Sequence, residues 1–269
     1  MNHKTIMSIS KARIKYIKSL EQKKHRHEQQ RFVAEGDKVV AELMRHHTPA
    51  IVAARHEWLT ENGARLKPET EICEVTAEEL QRVSFQKHPQ NVLAVFPMFG
   101  KDCFPHDGQS GMTDENELYI ALDGVQDPGN LGTIIRIADW FGIRNIFCSR
   151  DTADVWNPKV VQATMGSIAR VNVCYGSLEQ LIDALPDGFP VYGTLLDGDD
   201  MTKMKLDNRG LIVMGNEGNG ISDSIAARVT HRIRIPNYPE GQETAESLNV
   251  AIATAITVFA LRRIKHCNI

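Results

Sequence analysis

Residues 118–138 read LYIALDGVQDPGNLGTIIRIA, and this stretch decides the fold class. Leu118–Leu122 shows no alternation of apolar with polar positions, which predicts a strand covered on both faces. Asp127-Pro128-Gly129 then supplies turn chemistry. A helix is expected over Gly129–Phe141, with Asn130 as its cap and Ile134, Ile135 and Ala138 as its inward stripe. The alternation continues downstream. Further strands are expected at Asn145–Cys148, Val171–Cys174, Val191–Leu195 and Leu211–Met214, with helices near Lys159–Thr164 and Ser177–Ala184. The reading is α/β: a parallel sheet with helices on both faces, on which ligands bind at the carboxyl ends of the strands.

Upstream, 97–117 (PMFGKDCFPHDGQSGMTDENE) combines Pro, Gly, Asp and Ser without periodicity and reads as a linker. The expected division is therefore 1–97, a linker over 98–117, and 118–269. The first part alternates a helix over Ser10–Gln29, a strand at Phe32–Ala34, a helix near Asp37–Arg45, strands at Ala50–Ala54 and Ile72–Val75, a helix over Ala77–Val83 and a strand at Val92–Phe96. That is a second, smaller α/β layer. Its front is basic. Residues 1–45 hold eleven Lys/Arg against five acids, a local charge of +6 on a chain whose net charge is −3. Such asymmetry points to a localised anionic partner.

The five cysteines, at 73, 103, 148, 174 and 267, form no CxxC pair. They match neither a disulfide framework nor a metal site, so reduced thiols, a cytoplasmic location and no bound metal are expected. The N-terminus lacks the apolar segment of a signal peptide. Val250–Leu261 is too short for the roughly 20 residues that span a bilayer, so no membrane association is expected.

Three segments carry candidate chemistry. In the first, Asn130 and Arg136 either cap a helix and reach water respectively, or converge on a polyanionic ligand. The second, Met214–Ile221 (MGNEGNGI), follows a very apolar strand. Its glycines allow close backbone approach to a ligand, or simply build a turn with Glu217 solvated. It is neither GxGxxG nor a P-loop, so the dinucleotide and nucleoside-triphosphate readings lose their fingerprint, and a nucleotide-dependent oxidoreductase is a minor rival. In the third, Ile233–Arg263, a strand ends near Pro236 and a long helix opens at Ser247-Leu248-Asn249. Ser247 and Asn249 are caps, or part of a helix N-terminus that presents N–H groups to a ligand. Leu248, Ile252, Ile256 and Phe259 are expected to be that helix's buried face, with Arg262, Arg263 and Lys265 at its C-terminus.

DPGNLGTIIRIA, MGNEGNGIS and IP…ESLNVAIATAI, in this order, resemble the three motifs of the SpoU/TrmH family of RNA ribose 2′-O-methyltransferases, within the SPOUT superfamily. The segment ISKARIKYIKSLEQKKHRHEQQRFVAEGDKVVAEL resembles the ribosomal-protein-like RNA-binding domain that many of these enzymes carry. The resemblance implies a C-terminal domain with a deep trefoil knot, binding S-adenosylmethionine and forming a homodimer through the knotted region. It implies rRNA or tRNA as substrate. Carried over by motif position, the catalytic set is Asn130, Arg136, Glu217, Ser247 and Asn249. Cofactor contacts fall on Thr194, Leu195, Leu196, Gly215, Asn216, Gly218, Ile235 and Leu248. Lys11, Arg13, Lys15 and Lys18 are the expected RNA contacts of the basic front.

Methyl transfer to a hydroxyl is an in-line displacement, so the two reacting atoms must be held about 3 Å apart. A guanidinium stays protonated, so Arg136 is expected to orient phosphate and stabilise developing oxyanion charge rather than abstract a proton. Glu217 is expected to orient Arg136 or Asn130. The competing reading is an RNA-binding protein of the same fold without chemistry.

Overall fold

The computed structural model describes residues 6–100, 104, 114, 116–239 and 245–263. Most of the expected linker, and Lys265, lie outside these residues. In chain order the first elements are β1 (Ile6–Ser8), α1 (Lys11–Ser19), α2 (Lys23–Gln29), β2 (Arg31–Glu35), α3 (Asp37–Met44), β3 (Ile51–Ala54), α4 (His56–Asn62), β4 (Glu71–Glu74), α5 (Ala77–Val83) and β5 (Val92–Pro97). There follow β6 (Leu118–Leu122), α6 (Pro128–Trp140), β7 (Asn145–Cys148), α7 (Pro158–Ala163), β8 (Asn172–Tyr175) and α8 (Leu178–Asp183). The chain ends with β9 (Val191–Asp200), β10 (Gly210–Met214), α9 (Asp223–Ala226), β11 (His231–Arg234) and α10 (Val250–Arg263).

The chain divides into two compact units, Met1–Phe99 with Asp154–Ala169, and Gly100–Ala153 with Arg170–Ile269. Residues 154–169 therefore belong to the N-terminal unit, not to the C-terminal part in which the sequence reading put them. A helix between two strands of a parallel sheet reads as a crossover, and nothing in its own residues says which sheet it covers. Here Gln162 accepts a hydrogen bond from Gln86 at 2.9 Å, and the Trp156 ring lies 4.5 Å from that of Phe32.

The N-terminal unit carries a five-stranded sheet in the order β1-β4-β3-β5-β2, with β5 antiparallel to both neighbours. Ile17, Leu20, Val33, Ala53, Leu80, Leu93 and Val95 belong to one buried cluster on it. The expected single helix over Ser10–Gln29 is two helices. The Arg26 guanidinium donates to the carbonyls of Leu20 at 2.9 Å and Glu21 at 2.6 Å, satisfying the groups that the break releases. The same side chain is buried and pairs with the buried carboxylate of Asp154.

The second unit carries a parallel six-stranded sheet ordered β11-β9-β10-β6-β7-β8. From β6 the chain moves outward through β7 to β8, then crosses to β9, β10 and β11 on the other side. The order reverses between β6 and β10, which pair from Leu118↔Gly210 to Leu122↔Met214. The crevice outside the carboxyl ends of such a strand pair is where open α/β sheets bind ligands. Cys73 and Cys148 are buried free thiols, but Cys174 is disulfide-bonded, against the expectation of reduced thiols throughout. Among the described residues no helix is long and apolar enough to cross a membrane, and no cluster could hold a metal ion.

α10 corrects the expected inward stripe. Val250, Ala251, Thr254, Thr257, Val258 and Leu261 are buried, whereas Leu248, Ile252, Ile256 and Phe259 are exposed by 50%, 52%, 38% and 56%. The helix is apolar nearly all round, so spacing alone could not choose the inward face.

The Arg26–Asp154 pair is expected to hold the N-terminal unit together. Arg26→Ala should cost about 3–5 kcal/mol, because it takes the guanidinium from a buried carboxylate and the side-chain donor from two carbonyls. Urea unfolding of the two proteins measures this; a loss below about 1 kcal/mol would show that the pair is replaceable.

Candidate active site

The three motifs converge on one hydrogen-bonded chain. Asp127, not Asn130, caps α6: its carboxylate accepts from the Asn130 backbone N–H at 2.8 Å, and Pro128 occupies the first turn, where a missing N–H is harmless. The Asn130 side chain is thereby left for other work. Its Nδ2 donates to Glu217 Oε1 at 3.0 Å, and its Oδ1 accepts from Asn249 Nδ2 at 2.9 Å. Asn249 Oδ1 in turn accepts from the N–H groups of Ala251 and Ile252, capping α10. Glu217 also accepts from the backbone N–H groups of Gln126 at 3.2 Å and Asp127 at 3.1 Å. Of the two roles open to Glu217, the structure selects orientation of Asn130.

Burial pushes the Glu217 carboxyl upward, but its bonds from Asn130, from its own loop and from Asp127 and Gln126 outweigh this and hold it below the usual carboxylate range. Arg136 lies six residues beyond Asn130 on α6, exposed and with no partner among the described residues. Ser247 is likewise exposed and takes no part in capping.

The loop after β10 is a closed turn. Asn216 and Gly220 exchange backbone hydrogen bonds at 2.9 and 3.0 Å. The Asn216 side chain accepts from Gly218 and Asn219 and donates to the Gly124 carbonyl at 2.7 Å. A Cβ on Gly215 would lie 2.1 Å from the Gly220 carbonyl carbon and 2.3 Å from the Ile221 nitrogen. Only glycine fits there, because backbone passes over backbone. The Asn216 side chain and the Gly218 N–H are thus committed to the turn.

Thr194, Leu195 and Leu196 sit where β9 leaves its ladder. On β11 the neighbours Arg232 and Ile233 pair with Gly193 and Asp199, so 194–198 are passed over. A Cβ on Gly198 would approach the Ile233 backbone to 2.7 Å, marking where the excursion rejoins. Thr194 Oγ1 donates to the Val213 carbonyl at 3.2 Å, keeping this segment on β10. Leu195 packs on the core, while Leu196 is 75% exposed. Backbone passed over by the ladder beside exposed Leu196 suits a ligand that needs backbone hydrogen bonds and apolar cover, as a nucleoside does. Ile235 is half-buried just beyond β11.

Sequence reasoning missed Asp123, whose carboxylate accepts from the Ser222 N–H at 2.7 Å and ties the far end of the glycine-rich turn to β6. An acidic residue straight after a buried strand was the available signal.

Comparison with known proteins places this architecture. The chain belongs to the SpoU rRNA Methylase family, whose profile matches residues 117–259. Residues 11–94 match an MRM3-like substrate binding domain. The 23S rRNA (guanosine(2553)-2′-O)-methyltransferase RlmP of Bacillus subtilis is 32% identical over 265 residues, covering 96% of this chain and 99% of that one. An AdoMet-bound rRNA methyltransferase from Sinorhizobium meliloti superposes with a TM-score of 0.82 at 31% identity, covering 97% and 98% of the two chains. A TrmH-family protein from Porphyromonas gingivalis is 38% identical, with a TM-score of 0.80 and coverage of 95% and 99%. The fold is that of the SpoU/SPOUT proteins, with a substrate-binding domain before a methyltransferase domain of the trefoil-knot class.

A carboxyl held below its ordinary range stabilises the fold fully above its unfolded pKa near 4.5, and the contribution is lost as pH falls through the lowered folded value. Melting temperatures measured from pH 3 to 7 should therefore show an acid-side decline that is smaller in Glu217→Gln. Parallel curves would mean that the Glu217 bonds contribute nothing to stability.

Proposed function

We propose that this protein transfers a methyl group from S-adenosylmethionine to a ribose 2′-hydroxyl of ribosomal RNA. The observation that carries the reading is the Asn249–Asn130–Glu217 chain, which locks three separate motifs together and leaves Arg136, on the same helix as Asn130, exposed and without a partner among the described residues. Ribosomal RNA is favoured over tRNA by the end-to-end likeness to the RlmP enzyme, whose name specifies a 23S guanosine.

When bound, the cofactor supplies an activated methyl on a sulfonium. In this chain Thr194–Leu196, the Gly215–Gly218 turn, Ile235 and Leu248 would hold it. Backbone groups dominate that set, and they provide hydrogen bonds without a counter-charge that would stabilise the sulfonium before transfer. Arg136, permanently cationic and forked, orients an RNA phosphate and stabilises charge growing on the 2′-oxygen. Asn130 and Glu217 hold the start of α6 in place, and Ser247 offers a hydroxyl at the mouth of α10.

Exposed Ile252, Ile256 and Phe259 of α10, with Leu248 just before it and Trp140 85% exposed at the end of α6, form the surface on which we place a second copy of the chain. A monomer would leave these large apolar groups in water. Ile252→Asp with Phe259→Asp should halve the mass seen by sedimentation; a wild-type monomer at micromolar concentration would dismiss the homodimer.

Arg136→Ala should lower single-turnover methyl transfer to ribosomal RNA at least about a hundredfold, the scale of losing one preorganised charge stabiliser. Cofactor affinity by calorimetry should stay within about threefold, under about 0.7 kcal/mol. Arg136→Lys should restore little, since an ammonium lacks the planar fork. Near-normal turnover in Arg136→Ala would sink this role, and absence of transfer by the wild type would leave only the binding reading.

A further inference from the structure

In the N-terminal unit a cleft of about 420 Å³ opens between α1 and the β1–β4 edge of the sheet, lined by Met7, Ser10, Arg13, Tyr16, Glu71 and Cys73 among others. We propose that this cleft binds a single unstacked guanine of the RNA, with the Glu71 carboxylate reading its Watson–Crick edge and Tyr16 offering a face for stacking. The inference rests on the RNA-binding part of the function proposed above.

Charge supplies the first argument. The cleft sits in the basic front, beside Lys11 and Lys15, which are exposed and without partners among the described residues. A carboxylate there repels phosphate, so it favours only a part of RNA that is rich in donors. Arg13 pairs with Glu71 Oε2 and so keeps the carboxylate in the cleft. Among the described residues, Glu71 Oε1 has only the Cys73 thiol, a weak donor, at 3.8 Å. Acceptor capacity is therefore left over.

Base chemistry supplies the second. Guanine alone presents two adjacent donors, N1–H and the N2 amino group, that match a carboxylate. The adenine and cytosine edges each set a ring acceptor beside the amino group, and uracil flanks its one N–H with two carbonyls. Single-stranded RNA is read in this way, by stacking on aromatic and guanidinium planes with hydrogen bonds to the exposed edge. Both planes are present, since the Arg13 guanidinium carbon lies 5.6 Å from the centre of the Tyr16 ring.

Covalent chemistry is set aside by Cys73. Burial, and next the Glu71 carboxylate, push this thiol up to about 11, so it stays neutral.

The test uses the full-length protein and fluorescein-labelled uridine nonamers whose central residue is G, inosine, A or U, read by anisotropy. Central G should bind about tenfold tighter than U, and inosine, lacking only the N2 amino group, should lose most of that gain. Glu71→Gln should abolish the preference for G over inosine, and Tyr16→Ala should weaken the G nonamer towards the U nonamer. Lys11→Ala with Lys15→Ala should weaken all four alike and flatten their salt dependence. Equal affinities of the G and inosine nonamers for the wild type overturn the proposal, as does a preference for G that survives Glu71→Gln. The wild-type comparison changes only the RNA, so it decides even where a variant folds poorly. Methyl transfer measured on the same preparations separates the readings: transfer without base preference removes the cleft alone, and base preference without transfer removes the enzymatic reading alone.

Discussion

One acceptor-only group sets the direction of the side-chain hydrogen bonds that join the three motifs. Ionised Glu217 can only accept, so Asn130 must turn its amide nitrogen toward it. That leaves the Asn130 oxygen facing Asn249, whose own amide must then present nitrogen to Asn130 and oxygen to the first N–H groups of α10. No other assignment satisfies all three residues. The turn after β10, the start of α6 and the start of α10 are joined through two side-chain amides whose orientations are not free. Arg136 stands outside the chain, exposed and without a partner among the described residues.

Much of this was legible in the residues. The runs Leu118–Leu122 and Asn145–Cys148 are strands with the expected bounds because continuous burial leaves no ambiguity of face. Motif order also placed Asn130, Glu217 and Asn249 in one site. Three things stayed hidden, each for a physical reason. Asn130 is a plausible cap by type, yet Asp127 precedes Pro128 and takes that role, which only the path of the turn reveals. α10 has apolar residues on opposite sides, so its inward face depends on what it packs against. The excursion of 194–198 from β9 leaves no mark in composition, because the strand resumes at Asp199 and Asp200 with acidic residues that look like loop.

The basic front shows how little a charge count says about individual side chains. Of the four expected RNA contacts, Lys11 and Lys15 are exposed, Arg13 is held by Glu71, and Lys18 donates to the Ser84 carbonyl at 2.8 Å and lies 4.7 Å from the centre of the Phe85 ring. Arg26, deeper in the same run, is wholly structural. Summed charge acts on an anionic partner at long range, but residues already bonded within the fold have less to offer at contact.

The return of 154–169 to the N-terminal unit has a consequence for the order in which the protein is made. When the ribosome has delivered the first hundred residues, Arg26 has no carboxylate to pair with and Phe32 lacks the Trp156 ring that covers it. The first unit in sequence is therefore still incomplete when the linker is reached. It waits until Ala169 has emerged, by which time β6, α6 and β7 of the other unit are already outside the ribosome. A gene cut at the obvious linker would therefore encode an N-terminal half with a missing wall.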